Sequence, residues 1–223
     1  MKSIFYWFVK GLAWPVVRAY LGFRRHDKAR VPARGACIVV ANHSSYLDAI
    51  CLGSACPRRL NFLIADEIYR LWRLRWFYYM MGAIPLRTEG ADTRALRRAL
   101  EVLESGGAVG IFPEGRRMPD GSIGEGKMGA AFLAWRSGAP VIPAAIVGAH
   151  HAMPVGSAFP KPRRIRVFFG EVIRFPEAER KARREALVGF ADQLMEAVSA
   201  LVQTSGERPS RAASSPASEE GGR

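Results

Sequence analysis

A chain of 223 residues, 49% of them hydrophobic, is long enough to bury one domain's core and too apolar over its body for intrinsic disorder. Its 33 Lys and Arg against 20 Asp and Glu leave a net charge of +13, which points to polyanions: nucleic acid, an acidic membrane surface or phosphate-bearing substrates. Three cysteines (Cys37, Cys51, Cys56) and four histidines (His26, His43, His150, His151) lack metal-ligand spacing, which argues against a zinc site and fits reduced thiols in a cytosol-facing compartment.

Residues 1–34 read as an amphipathic, membrane-associating helical segment. Eight basic residues (Lys2, Lys10, Arg18, Arg24, Arg25, Lys28, Arg30, Arg34) stand there against only Asp27, interleaved with bulky aromatics. Aromatic rings settle at headgroup level and cations meet acidic lipids, so the segment suits a bilayer surface. Lys10, Pro15 and Arg18 interrupt it, and a spanning helix needs about 20 mostly apolar residues. No small-residue cleavage site follows, and the Arg24-Arg25 pair comes after the apolar part rather than before it, so neither a secretory nor a twin-arginine signal fits. An ordinary amphipathic helix packed on the core is the alternative.

The body, residues 35–203, alternates strand and helix. Strands are expected over 36–41, 61–65, 83–86, 108–112 and 141–147, and two more over 164–169 and 171–175. Helices are expected over 46–55, 66–81, 93–104, within 126–137 and over 177–202, with Gly106-Gly107 and Gly138 as stop signals. The expected fold is α/β, a mostly parallel central sheet flanked by helices. Residues 204–223, rich in Ser, Ala, Pro, Gly and Glu, read as a disordered tail.

In open α/β sheets ligands bind beyond the carboxyl ends of the strands. Three polar clusters fall at such ends: Asn42-His43, Arg87, and Pro113-Glu114-Gly115-Arg116-Arg117. If their strands are parallel, all three share one rim. A histidine at a strand end with Asp48 five residues on can serve as a general base for a substrate hydroxyl. On one continuous helix, residues five apart point roughly 140° away from each other. His43 therefore belongs in the turn before a helix and Asp48 in its first turn, with Ser45 as N-cap. Ser45 and Asp48 also fit a capping box, in which Asp48 merely closes the helix start. In the third cluster, Gly115 allows close ligand approach, and Arg116 and Arg117 offer forked donors suited to phosphate. Residues 121–128 imitate a P-loop but lack its Ser/Thr, and Gly124, Gly126 and Gly129 spell a dinucleotide fingerprint without a strand leading into it; neither is taken as functional.

Four blocks in this order resemble the glycerolipid acyltransferases typified by the bacterial 1-acyl-sn-glycerol-3-phosphate acyltransferases. NHSSYLD at 42–48 looks like the family's His-x4-Asp block, and GAIPLR at 82–87 like the second block. FPEGRR at 112–117 is similar to the third and VIPAAI at 141–146 to the fourth. The third usually reads Phe-Pro-Glu-Gly-Thr-Arg, so Arg116 stands in the threonine position, and Pro85 replaces a bulkier residue in the second.

The resemblance implies transfer of an acyl chain from acyl-CoA or acyl-carrier protein to the free hydroxyl of 1-acyl-sn-glycerol-3-phosphate, with no metal or cofactor. His43 would be the base and Asp48 would hold its tautomer, while Arg87, Glu114, Gly115, Arg116 and Arg117 would hold the glycerol phosphate. Backbone N–H groups of the His43 turn would stabilise the oxyanion. The expected partners are an acidic membrane surface and the two substrates, with no nucleic acid. The expected location is the cytoplasmic face of the cell membrane, as a peripheral or monotopic protein. Another lysolipid acceptor, such as lyso-ornithine lipid, is the first alternative. A non-catalytic basic protein that coats membranes or nucleic acid is the second.

Overall fold

The computed structural model describes residues 2–87, 92–177 and 183–206. A seven-stranded sheet runs β1 (Arg24–His26), β7 (Arg166–Phe169), β6 (Val141–Val147), β2 (Cys37–Ala41), β5 (Ala108–Ile111), β3 (Leu60–Ala65) and β4 (Ile84–Leu86) from edge to edge. Strands β6, β2, β5, β3 and β4 are mutually parallel, whereas β7 runs antiparallel to β6 and carries β1 parallel to itself.

β2 is the central strand because every residue in it is apolar and fully buried, as a strand covered on both faces requires. Its alternation divides the core. Cys37, Val39 and Ala41 pack with α1 (Lys2–Tyr20) and α2 (Asp48–Ala55). Ile38 and Val40 pack with α5 (Thr93–Glu104), α6 (Gly129–Ser137) and α8 (Arg183–Thr204). The start of α5 is fixed by Asp92, whose side chain accepts the N–H groups of Arg94 and Ala95.

Several expectations are corrected. The N-terminal helix ends at Tyr20, and residues within 21–34 join the domain. β1 is polar and three residues long, held by edge pairing to β7 rather than by an apolar face, so no pattern announces it. The stretch 66–81 breaks into α3 (Asp66–Tyr69) and α4 (Arg75–Met81), neither with a buried residue to hold one continuous helix on the core. Residues 171–175 form no strand, only a bridge from Ile173 to Val141. α2 begins at Asp48, not residue 46, and a short α7 (Ala149–Ala152) is additional. The tail from 207, and residues 178–182 of the expected last helix, lie outside the described residues.

α1 is fastened to the domain. The Tyr6 hydroxyl accepts the Leu60 N–H at 3.3 Å, and Lys10 Nζ donates to the Cys56 carbonyl. Burial pushes the Tyr6 hydroxyl up to about 12 and the Lys10 amine down to about 8. The outer face of α1 exposes Ile4, Phe8, Leu12, Val16 and Tyr20, one residue per turn, and α3–α4 adds Leu71, Trp72 and Trp76. Among the described residues no helix is long and apolar enough to cross a membrane.

Candidate active site

The parallel strands put the ends of β2, β5 and β4 on one rim, so the three polar clusters do lie on the same edge of the sheet. At the end of β2, Asn42 is buried and pairs twice with Ile146 of β6: its Nδ2 donates to the carbonyl at 3.0 Å and its Oδ1 accepts the N–H at 2.8 Å. The side chain thereby continues the β2–β6 ladder one step past Ala41 and fixes how the chain leaves the sheet.

His43 comes next, in the turn before α2, and Asp48 opens that helix, as the spacing requires. His43 Nδ1 lies 2.9 Å from Asp48 Oδ2. The same oxygen accepts the N–H groups of Ser44 at 2.6 Å and Ser45 at 2.7 Å. The carboxylate thus gathers the N–H groups ahead of the helix and faces the imidazole at once. The N-cap position itself is Leu47, and the Ser45 hydroxyl instead donates to the Met153 carbonyl and accepts from Leu47 N–H. Asp48 is wholly buried, and among the described residues its second oxygen and the Ser44 hydroxyl have no hydrogen-bond partner. A carboxylate accepting at Nδ1 places the ring proton there and leaves Nε2 as the basic nitrogen.

The imidazole face rests on Phe112, centroids 4.3 Å apart and planes 16° from parallel, and Phe112 stacks in turn on Phe62 at 5.9 Å. Gly110 makes this column possible, because a Cβ there would meet the Phe62 ring at 2.6 Å. Sequence reasoning gave Phe112 and Phe62 no role. The available signal was that Phe112 directly follows β5, beside β2.

The loop after β5 grips His43 from the other side. Glu114 Oε2 accepts the His43 N–H at 3.1 Å, and the His43 carbonyl accepts the Met118 N–H at 2.8 Å. The Glu114 carboxyl, only 5% exposed, also accepts the Gly124 N–H. Burial pushes it up to about 8, and the Asp48 carboxylate adds to the rise. Glu114 is therefore turned inward as a brace between two loops, not outward as the expected phosphate ligand. The N–H groups of His43, Ser44, Ser45, Leu47 and Asp48 are all committed within the loops.

Gly115 adopts φ +65°, and a Cβ there would press on Lys127 at 2.8 Å. Arg116 is exposed. The Arg117 guanidinium lies 3.6 Å from the centre of the Tyr46 ring. Arg87 is exposed at the end of β4, its N–H bound by Asp92 at 2.9 Å. Since β4 is three places from β2, about 14 Å separates the two strands, so Arg87 shares the rim without adjoining His43. Among the described residues no cluster of three metal-ligating side chains occurs.

A family model described as Acyltransferase matches residues 22–147. The chain is 35% identical over 123 residues to the chloroplastic 1-acyl-sn-glycerol-3-phosphate acyltransferase BAT2 of Brassica napus, 54% of this chain and 36% of that protein. It therefore spans about a third of that relative's length. The 1-acyl-sn-glycerol-3-phosphate acyltransferase of Bacillus subtilis is 24% identical over 81% of this chain and 88% of its own. The crystal structure of the 1-acyl-sn-glycerophosphate (LPA) acyltransferase PlsC from Thermotoga maritima superposes with a TM-score of 0.72 at 24% identity, covering 94% of this chain and 81% of that one, which establishes a shared fold.

Proposed function

The chain belongs to the acyltransferase family, and from that premise we propose that it acylates the free hydroxyl of 1-acyl-sn-glycerol-3-phosphate to give phosphatidic acid, drawing the acyl group from acyl-CoA or acyl-carrier protein. The observation that carries this reading is the 2.9 Å approach of His43 Nδ1 to a buried Asp48 carboxylate. His43 Nε2 takes the hydroxyl proton as the oxygen attacks the thioester carbonyl, and Asp48 stabilises the imidazolium. The tetrahedral adduct collapses, the carbon–sulfur bond breaks, and the imidazolium proton passes to the departing thiolate. Such base catalysis is worth about 10²–10⁴-fold. Arg117, with Arg116 and Arg87, meets the acceptor's phosphate, and Gly115 lets it approach the backbone. No step is routed through a metal or cofactor.

The exposed stripe on α1 and the aromatics of α3–α4 would lie on the cytoplasmic face of an acidic bilayer, where the two-tailed product must be delivered. Arg116 in the threonine position supports a second reading, transfer to another lysolipid such as lyso-ornithine lipid.

The test is thiol release from acyl-CoA by the purified chain with a panel of acceptors, beside the His43→Ala variant. Release with lysophosphatidate, lost in a correctly folded His43→Ala, is the expected result. A folded His43→Ala near wild-type activity would overturn the mechanism. No release with any lysolipid, alongside tight, salt-sensitive DNA binding, would favour a non-catalytic basic protein.

A further inference from the structure

Arg117 is a half-buried cation in the loop after β5 that reaches the His43 turn at Tyr46, and its surroundings are unusual for an arginine. Among the described residues no carboxylate pairs with it, since Glu114, its near neighbour in sequence, points inward onto backbone N–H groups. What holds it is Tyr46. At 3.6 Å from guanidinium carbon to ring centre, the guanidinium lies over the ring in van der Waals contact. A stacked guanidinium uses its faces for the ring and keeps its in-plane donors for an anion.

The platform itself is rigid. Tyr46 is 47% exposed, yet its neighbours Ser45 and Leu47 are buried. Their loop is pinned by the bonds of Ser44 and Ser45 N–H to Asp48, of the Ser45 hydroxyl to Met153, and of Leu47 N–H to the Ser45 hydroxyl. Tyr46 lies between the base and its carboxylate in the same short turn. The ring thus carries the position of His43 across to Arg117.

We propose that Tyr46 is a positioning residue of the acceptor site. It presents the Arg117 donors at a set place relative to His43 Nε2, so that an acceptor carrying a phosphate monoester is preferred over an uncharged monoacylglycerol. The inference rests on the reading of Arg117 as a phosphate ligand.

The experiment measures kcat and KM for lysophosphatidate, with KM for acyl-CoA, in the full chain and in Tyr46→Ala, Tyr46→Leu, Tyr46→Phe, Arg117→Ala and the Tyr46→Ala/Arg117→Ala pair. Losing a cation–π contact should raise the acceptor KM about 5- to 30-fold in Tyr46→Ala and Tyr46→Leu. Turnover, acyl-CoA KM and melting temperature should be little changed. Tyr46→Phe, which keeps the π face, should behave as wild type, and the double variant should be no worse than Arg117→Ala alone. An unchanged acceptor KM in Tyr46→Ala while Arg117→Ala raises it overturns the role of Tyr46 only. An unchanged KM in Arg117→Ala overturns the phosphate reading and this inference with it. Calorimetric titration with glycerol 3-phosphate needs no turnover: equal affinity in wild type and Tyr46→Leu refutes the proposal even if lysophosphatidate is not the acceptor.

Discussion

Replacing Asp48 by asparagine separates the two tasks of this carboxylate. Its Oδ2 accepts from Ser44 N–H at 2.6 Å and Ser45 N–H at 2.7 Å while lying 2.9 Å from His43 Nδ1. An asparagine oxygen in that place keeps all three contacts but loses their charge assistance. Hydrogen bonds to charged groups contribute about 1.5–3 kcal/mol and neutral ones about 0.5–1.5, so the two backbone bonds together weaken by roughly 2 kcal/mol. The amide nitrogen would fall where the second carboxylate oxygen has no partner, so it recovers nothing. In a domain of this size that is a fall in melting temperature of about 4–8 °C. Turnover should fall further, by about 10²–10⁴, because the imidazolium loses its counter-charge. Asp48→Ala should lose turnover similarly but stability more, leaving two buried N–H groups bare at about 1–3 kcal/mol each. Thiol release at saturating substrates and thermal melting read the two effects separately. An Asp48→Asn enzyme that melts as expected yet keeps about a tenth or more of wild-type turnover would refute the assignment of Asp48 to the base.

The remaining predictions test other parts of the frame. Glu114 is held up at about 8 from its ordinary 4.5, so the folded chain keeps a proton that the unfolded chain releases; its contribution is complete below about 4.5 and is lost as pH rises through 8. Urea unfolding of Glu114→Gln should therefore show a flatter stability profile across that window than wild type, and parallel profiles would count against a buried, protonated carboxyl. Phe112→Leu removes the ring from the His43 imidazole; an aromatic pair is worth about 0.5–1.5 kcal/mol, so turnover should fall roughly 2- to 12-fold, and unchanged turnover would mean that the stack does not position the base. Gly148→Ala, at φ +88° with its Cβ driven onto the Arg164 carbonyl, should cost roughly 2–5 kcal/mol by chemical denaturation, whereas Gly35→Ala, at φ +81° with open space around it, should cost only about 1–2. Phe8→Glu with Leu12→Glu should abolish flotation with acidic vesicles without lowering the melting temperature, and retained flotation would place the membrane contact elsewhere.

What the sequence disclosed depended on how local the cause was. β2, β5 and β6 are buried from both faces, so their residues read as unbroken apolar runs. α5 announces itself through amphipathic spacing and the Gly106-Gly107 stop. β1 carries no such mark: Arg24, Arg25 and His26 are a strand only because β7, far along the chain, offers an open edge. The long helix expected over 66–81 fails for the converse reason, since good helix formers without a buried face have nothing to keep them in one piece. Residues 171–175 alternate like a strand, but among the described residues only Ile173 makes a strand-type bridge, to the first residue of β6.

The site divides along the same line. His43 and Asp48 are five residues apart, and the turn that joins them is settled by those few residues, so their meeting could be inferred from spacing alone. Glu114 could not be read that way. Its typing as a ligand came from a motif, whereas its direction comes from β2 and β5 being neighbours, which brings the His43 N–H within reach before any substrate is. The same adjacency engages the His43 N–H with Glu114, while the N–H groups of Ser44 and Ser45 are taken locally by Asp48. With Asn42 tied to β6 and both the N–H and the carbonyl of His43 tied to the loop after β5, the backbone that carries the imidazole is fixed by three adjacent strands at once. Arg87, on the outermost strand, shares none of those bonds. Rigidity around the imidazole and latitude at Arg87 are therefore consequences of strand order. A change at the sheet's edge should alter which acceptors bind far more readily than it alters the proton transfer.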